Sequence, residues 1–215
     1  RNGHVPVDLF VITYGDQNHG ISCHGYNDGE IEVSANNRYK QIIYRLYDEG
    51  MNLLEESPVT IRPNHYFDTL PPGSYHVRVD NIEDGCFSEA DTVLTEPDEL
   101  LITDFSVSTA HDSYNLTCFY SEDGWIRINN VSGGHGHYTY TWKEDEIVIP
   151  GANDSILNDL PAGSYKTIVA DPVGCSDDIQ VVLTAPAEMV VEVTDSVNIA
   201  CNGESTGSIT LQGSG

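Results

Sequence analysis

The sequence predicts an all-β fold of tandem immunoglobulin-like antiparallel β-sandwich repeats, each of about 90 residues. Three observations predict it. Short runs of alternating apolar residues are punctuated by Gly, Pro, Asn and Asp about every ten residues. Helical periodicity is nowhere sustained, and one block of motifs recurs at a fixed spacing. A chain of 215 residues has room for about two such domains.

The later part of the repeat occurs twice. The segment LPPGSY at 70–75 and the segment LPAGSY at 160–165 lie 90 positions apart. Each is followed by an alternating strand and then by a Gly-Cys pair that ends at Cys86 or Cys175. A proline follows each of these cysteines eleven residues later, which places the end of each repeat.

The earlier part of the repeat occurs three times. Cys23, Cys118 and Cys201 are each followed six residues later by a glycine, and each glycine opens an alternating strand. Turn chemistry before a strand is typical of a β-sandwich loop, because Gly and Asn adopt positive φ at little cost. The predicted organisation is a preceding repeat's tail or a linker (1–6), two complete repeats (7–97 and 98–186) and the truncated start of a third (187–215).

The Leu-x-x-Gly-x-Tyr motif predicts a tyrosine corner in each complete repeat. In immunoglobulin-like folds a tyrosine near the start of the second-last strand donates its hydroxyl hydrogen bond to backbone a few residues upstream. Tyr75 and Tyr165 stand at that position. The alternative is that each tyrosine is present only for its high β-propensity.

The repeat also accounts for the odd number of cysteines. Each complete repeat has an early and a late cysteine, so we expect the disulfides Cys23–Cys86 and Cys118–Cys175, with Cys201 unpaired because the chain is truncated. Persistent disulfides imply an oxidising compartment. The alternatives are buried free thiols or a metal site, although the chain has no Cys-x-x-Cys pair typical of zinc clusters.

Charge excludes some partners. The chain has 34 acidic and 9 basic residues, a net charge of −25, which repels nucleic acid and anionic lipid. The sequence contains no run of 18 apolar residues, so it predicts no membrane-spanning segment. The acidic residues are interpreted either as a solvated surface or as ligands for calcium, the cofactor they would suit. The calcium candidates lie near turns and are Asp28, Glu30, Asp123, Asp177 and Asp178.

With the repeat laid out, each unit resembles the SprB repeat of Bacteroidetes gliding adhesins and related large surface proteins. The matching elements are Cys-x-Gly at Cys23 and Cys201, the segment GGHGHYTYTW at 133–142, Leu-Pro-Ala-Gly-Ser-Tyr, Asp-x-x-Gly-Cys ending at Cys175, and the closing Thr-x-Pro. The first unit departs from this pattern, with NNRY at 36–39 in place of the Gly-Gly turn and a longer insert at 51–65.

The resemblance implies a secreted protein at the outer cell surface, exported by type IX secretion, that serves adhesion or gliding motility or forms a stalk. Its partners would be neighbouring repeats of the same chain, surface polysaccharide or other cell-surface proteins. In Bacteroidetes, O-glycosylation is associated with Asp-Ser/Thr before a small or aliphatic residue. Four such positions occur, at Thr69, Thr92, Ser155 and Ser196, and the alternative is that they are ordinary turn residues.

No enzyme motif accompanies the histidines, so we expect a non-catalytic protein. His4, His19, His24 and His111 stand apart from any nucleophile elbow, metalloprotease helix or phosphate loop. His135 and His137 would share one face of a strand, which makes them a candidate metal pair.

Two further function classes stay open beside the structural repeat of an adhesin or filament. The first is a calcium- or carbohydrate-binding accessory module of a large secreted enzyme. The second is a component of the type IX secretion or gliding apparatus.

Overall fold

The computed structural model describes residues 7–35 and 40–215. The predicted tail at 1–6, with His4, and the NNRY segment at 36–39 lie outside the described residues. Within the described ranges the chain is all-β, and its one helical element is a 3₁₀ turn at His111–Ser113. No helix there is long and apolar enough to cross a bilayer. The strands are β1 (Val7–Val11), β2 (Gly29–Ala35), β3 (Ile42–Asp48), β4 (Leu53–Glu56), β5 (Asn64–Leu70), β6 (Gly73–Asn81), β7 (Phe87–Leu94), β8 (Leu101–Val107), β9 (Gly124–Ser132), β10 (Thr139–Glu144), β11 (Ile147–Val148), β12 (Ile156–Leu160), β13 (Gly163–Ala170), β14 (Ser176–Leu183), β15 (Val190–Val197) and β16 (Ser208–Ser214).

Strands β1 to β7 form the first sandwich. One sheet has the order β1-β2-β5 and the other the order β4-β3-β6-β7, and every neighbouring pair is antiparallel. This is an immunoglobulin-like arrangement, because the chain crosses between two antiparallel sheets instead of following one meander. The predicted fold class is confirmed.

The core of the first sandwich follows from alternation along its strands. In β2 and β6 every second side chain is buried, because successive residues of a strand point to opposite faces of the sheet. Ile31 and Val33 of one sheet meet Leu46 and Val77 of the other in a single apolar cluster. Burial of that cluster is the main stabilising contribution to a sandwich of this size.

Strands β8 to β14 repeat the same arrangement as the second sandwich. Its sheets have the orders β12-β9-β8 and β11-β10-β13-β14, the same pattern as in the first sandwich. Trp142 is fully buried there, and its indole nitrogen donates a 2.8 Å hydrogen bond to the Asp154 carbonyl. Tyr44 takes the equivalent place in the first sandwich and donates at 2.7 Å to the Pro63 carbonyl. Both rings are therefore core residues. Each meets the requirement that the polar atom of a buried aromatic side chain has a hydrogen-bond partner.

The described chain divides into two compact units. The first contains the described residues up to Leu101 together with two segments of the second repeat, Val131–Thr139 and Val169–Asp177. The second contains Ile102–Asn130, Tyr140–Ile168 and Asp178–Gly215. The predicted repeat boundaries stay a prediction. Strands β15 and β16 pair antiparallel within the second unit.

Candidate functional site

The first compact unit contains a disulfide between Cys23 and Cys175. The two Cα atoms are 5.6 Å apart, although the residues are separated by 152 positions in the chain. The expected pairs Cys23–Cys86 and Cys118–Cys175 are therefore wrong, and Cys86, Cys118 and Cys201 have free thiols. The bond joins the early cysteine of the first predicted repeat to the late cysteine of the second.

The repeat spacing is compatible with more than one cysteine pairing. The repeat identifies which cysteines are equivalent, but it does not identify which copies meet. An early-to-late bond within a repeat and one between consecutive repeats fit the same spacing. The loop that carries Cys23 contacts the turn that carries Cys175, and this contact decides the pairing.

The loop around Cys23 is held by one carboxylate. The backbone amide of Ser22 donates to Asp28 Oδ1 at 3.0 Å, and the Ser22 hydroxyl donates to Asp28 Oδ2. The amide of Tyr26 donates to the Cys23 carbonyl at 3.0 Å, which closes a turn after the cysteine. Ile21 beside it is fully buried. The half-cystine is therefore presented by a loop fixed at both ends.

The turn around Cys175 is held by a second carboxylate. Asp171 Oδ1 accepts hydrogen bonds from the amides of Val173, Gly174 and Cys175 at 2.9, 2.8 and 3.0 Å. Its other oxygen, Oδ2, accepts from the amide of His135 at 2.8 Å. An aspartate that accepts from backbone two to four residues later is the Asx-turn arrangement. This explains the Asp-x-x-Gly-Cys motif: the aspartate shapes the turn and also positions the His135 loop.

His135 lies between the loop and the turn. Its ring Nε2 is 2.7 Å from the Ser22 carbonyl oxygen, and the side chain is almost fully buried. A carbonyl is only an acceptor, so Nε2 carries the proton and donates. Within the described ranges the other nitrogen, Nδ1, is buried without a hydrogen-bond partner.

Three glycines allow this close packing. A Cβ at Gly15 would lie 2.1 Å from His135 Nδ1, and one at Gly133 would lie 1.9 Å from the Glu99 carbonyl oxygen. A Cβ at Gly134 would lie 2.8 Å from Asp171 Oδ2. All three residues also have positive φ, which favours glycine. Glycine is therefore required at both positions of the Gly-Gly pair, because the backbone there passes between Asp171 and the start of the second predicted repeat.

The same groups have the chemical types of metal ligands. Ligand atoms of His135, Asp171 and Cys175 lie within 4.8 Å of one another. The Cys175 sulfur is bonded to Cys23, however, and both Asp171 oxygens accept from backbone amides. This cluster is a cross-linked structural junction. His135 is buried and His137 is exposed, and both lie between β9 and β10, so the predicted placement on one face of a strand is wrong.

The five calcium candidates are dispersed. Asp28 clamps the Cys23 loop, and Asp123 clamps the Cys118 loop in the same way, since Thr117 Oγ1 donates to it at 2.7 Å. Hydrogen bonds from Thr117 and then Ser121 lower the pKa of Asp123 below its usual value.

The other three calcium candidates lie on strands. Lys166 pairs with Asp178 of β14 at 3.0 Å. Glu30 is on β2 and Asp177 is on β14. Calcium binding by these residues stays a prediction.

Both motif tyrosines contact upstream backbone. Tyr75 Oη donates to the Pro71 carbonyl at 2.7 Å, and Tyr165 Oη donates to the Pro161 carbonyl at 3.1 Å. Each acceptor is four residues earlier in the chain, as in a tyrosine corner. Burial, followed by the charge of Glu144, raises the pKa of Tyr165 to about 12.

The candidate O-glycosylation residues differ in exposure. Thr69 and Ser196 are exposed, whereas Thr92 and Ser155 are partly buried. Their modification stays a prediction.

Comparison with known proteins identifies part of the second repeat. Residues 110–145 match the SprB repeat. The matched segment includes the Cys118 loop, β9, the Gly-Gly turn and Trp142. No curated protein matches the chain.

The chain is also similar to solved structures. Three N-terminal domains of the highly immunogenic outer capsid protein of bacteriophage RB49 have a TM-score of 0.42 at 12% identity, covering 98% of this chain and 69% of theirs. The two immunoglobulin domains of DIP-gamma have a TM-score of 0.39 at 14% identity, covering 87% and 100%. A C-terminal fragment of intimin, solved with the intimin-binding domain of its translocated receptor, has a TM-score of 0.41 at 11% identity, covering 88% and 67%.

Proposed function

We propose that this chain is a series of non-catalytic structural repeats from a secreted or cell-surface adhesin or filament, which forms a stalk for adhesion or gliding motility. The observation that carries the proposal is the Cys23–Cys175 bond, which links the first predicted repeat to the second. A module that only binds a ligand needs a stable sandwich, whereas a stalk under mechanical tension also needs its repeats to stay joined.

Two further observations support this function. Residues 110–145 match the SprB repeat, and the disulfide requires an oxidising environment. The net charge of −25 keeps such a surface soluble and disfavours adhesion between like stalks. Type IX secretion and a Bacteroidetes source belong to the same proposal and rest on the SprB resemblance.

The cross-link also has an energetic role in the proposal. In the chain-entropy model a bond closing a loop of this length destabilises the unfolded chain by about 5 kcal/mol. Such a bond remains when individual strands fray, so a stalk under shear stays covalently joined at that cross-link.

Surface labelling of the source cells tests this function. A membrane-impermeant biotin reagent applied to intact cells should label the protein, with Cys23 and Cys175 recovered as one disulfide-linked peptide pair. An in-frame deletion of the segment encoding these repeats should reduce attachment or gliding, and reinsertion should restore it. Recovery of the protein only after lysis, with all five cysteines reduced, would contradict the proposal.

A further inference from the structure

The free cysteines of the described chain lie in the same local structures as the bonded ones. Cys23 and Cys118 are both early cysteines, and Cys86 and Cys175 are both late cysteines. Only Cys23 and Cys175 are bonded to each other, while Cys86 and Cys118 are free. Cys23 and Cys175 bond across a predicted repeat boundary. Cys118 and Cys86 can therefore form such bonds if their loops present the thiols in the same way.

The early loops are equivalent in their hydrogen bonds. Thr117 in the Cys118 loop donates its amide to Asp123 Oδ1 at 3.3 Å and its hydroxyl to Oδ2, as Ser22 does with Asp28. The amide of Ser121 donates to the Cys118 carbonyl at 3.2 Å, as Tyr26 does to Cys23. Cys118 is therefore presented in the same way as the bonded Cys23.

The late turns are also equivalent. The Asn81 amide donates to the Cys86 carbonyl at 2.8 Å, and the Asp171 amide donates to the Cys175 carbonyl at 3.0 Å. A glycine with positive φ, Gly85 or Gly174, precedes each cysteine. The turn of the first repeat is one residue longer, yet it closes with the same pair of hydrogen bonds. Cys86 is therefore presented in the same way as the bonded Cys175.

A cleft lies beside Cys118. It is lined by residues 117–120 and 186–189, and the aromatic rings of Phe119 and Tyr120 are exposed at its edge. In the first compact unit, the corresponding face of the Cys23 loop is covered by the 171–175 turn and by His135, which leaves Cys23 only 7% exposed. The occupant that fits the cleft is therefore the late-cysteine turn of another repeat.

We propose that Cys118 and Cys86 are open halves of two further inter-repeat disulfides. Cys118 bonds to the late cysteine of a following repeat, and Cys86 bonds to the early cysteine of a preceding repeat. Each bond forms when two thiols lose two protons and two electrons to a disulfide oxidant such as oxidised glutathione, which is reduced to two thiols. If every early cysteine bonds to the late cysteine of the next repeat, successive repeats form a continuous series of covalent cross-links, which we call the ladder. The inference deepens the proposed structural function.

The experiment gives Cys118 a following repeat with a late cysteine by duplicating part of the chain. A second copy of residues 98–186 is inserted between Pro186 and Ala187, and the protein is refolded in a glutathione redox buffer. The parent chain has three free thiols and one disulfide. The insertion adds two cysteines, Cys118 and Cys175 of the new copy, so we expect a second disulfide while the thiol count stays at three. Alkylation and intact-mass measurement under non-reducing conditions count both.

Two matched variants assign the new bond. Cys118→Ser in the first copy should abolish the second disulfide, whereas Cys118→Ser in the inserted copy should leave both disulfides intact. The Cys23–Cys175 peptide pair reports in every sample that the preceding junction has folded. Five free thiols beside an intact Cys23–Cys175 bond, or a second disulfide that survives the first variant, would overturn the proposal.

The Cys86 half is tested by the complementary insertion. A second copy of residues 7–97 between Pro97 and Asp98 should form a bond from Cys23 of the first copy to Cys86 of the inserted copy. Loss of that bond in Cys86→Ser of the inserted copy, and its retention in Cys86→Ser of the first copy, is the expected result. The reverse pattern would contradict the ladder. These refolding results are independent of where the protein lies in its host cell, so they can fail while the proposed function stands, and the reverse also holds.

Discussion

Cys23 and Cys175 are bonded to each other although 152 positions separate them, and each is held by an aspartate that organises its own loop. Asp28 holds the loop that carries Cys23, and Asp171 holds the turn that carries Cys175. Both loops are therefore ordered by local hydrogen bonds as well as by the cross-link.

Removing this disulfide should destabilise the first compact unit without abolishing its fold. Cys23→Ser removes a cross-link worth about 5 kcal/mol in the chain-entropy model, so the free energy of unfolding in urea should fall by several kcal/mol. Cys201→Ser is the control, because Cys201 is an exposed free thiol. Equal effects of the two substitutions would show that the bond does not contribute to stability.

The tyrosine corners give a second prediction. Tyr75→Phe removes only the hydroxyl that donates to Pro71 and should lower the free energy of unfolding by about 1 kcal/mol, the usual net value of a hydrogen bond. Tyr66→Phe is the matched control, because Tyr66 is exposed and its hydroxyl contacts the Glu32 carboxylate near solvent. Chemical denaturation should separate the two variants, and an equally small effect of both would exclude a structural role for the corner.

Much of this architecture is predictable from sequence because it is recorded in periodic patterns. Alternation buries Val77 and Val79, and the glycine after each early cysteine marks the start of β2 and β9. The disulfide partner is not predictable in this way, since it depends on which copies meet. The packing of His135 against Gly15 also connects residues 120 positions apart, and no local pattern records such a contact. The signal that was available is the Gly-Gly pair at Gly133 and Gly134, whose absent side chains indicate a close approach.

A pair of glycines tests the packing of His135. Gly15 and Gly25 both have positive φ, so replacement by Ala costs similar backbone strain at each position. Only at Gly15 would the new Cβ meet the His135 ring, whereas nothing lies within 4 Å of a Cβ at Gly25. Gly15→Ala should therefore lower the melting temperature more than Gly25→Ala and should slow formation of the Cys23–Cys175 bond during refolding. Equal melting temperatures would mean that the imidazole is not tightly packed in solution.

The loop clamp predicts a specific pH dependence. Hydrogen bonds from Thr117 and Ser121 lower the pKa of Asp123 below its usual 3.8 in the folded state. A group whose pKa is lower when folded stabilises the protein above the unfolded pKa, and that contribution is lost as the pH falls through the folded pKa. The stability should therefore decrease below about pH 4, and Asp123→Asn should remove part of this decrease while lowering stability at neutral pH.

Glu122→Gln supplies the control for that measurement, because it removes the same charge from the adjacent exposed position. Urea denaturation midpoints measured between neutral pH and about pH 2 should show a shallower acid limb for Asp123→Asn than for Glu122→Gln. The reason is that Glu122→Gln changes the general charge repulsion of a chain with a net charge of −25 but leaves the clamp in place. If both variants flatten the acid limb equally, the pH dependence arises from overall charge, and the hydrogen bonds from Thr117 and Ser121 do not hold the Cys118 loop.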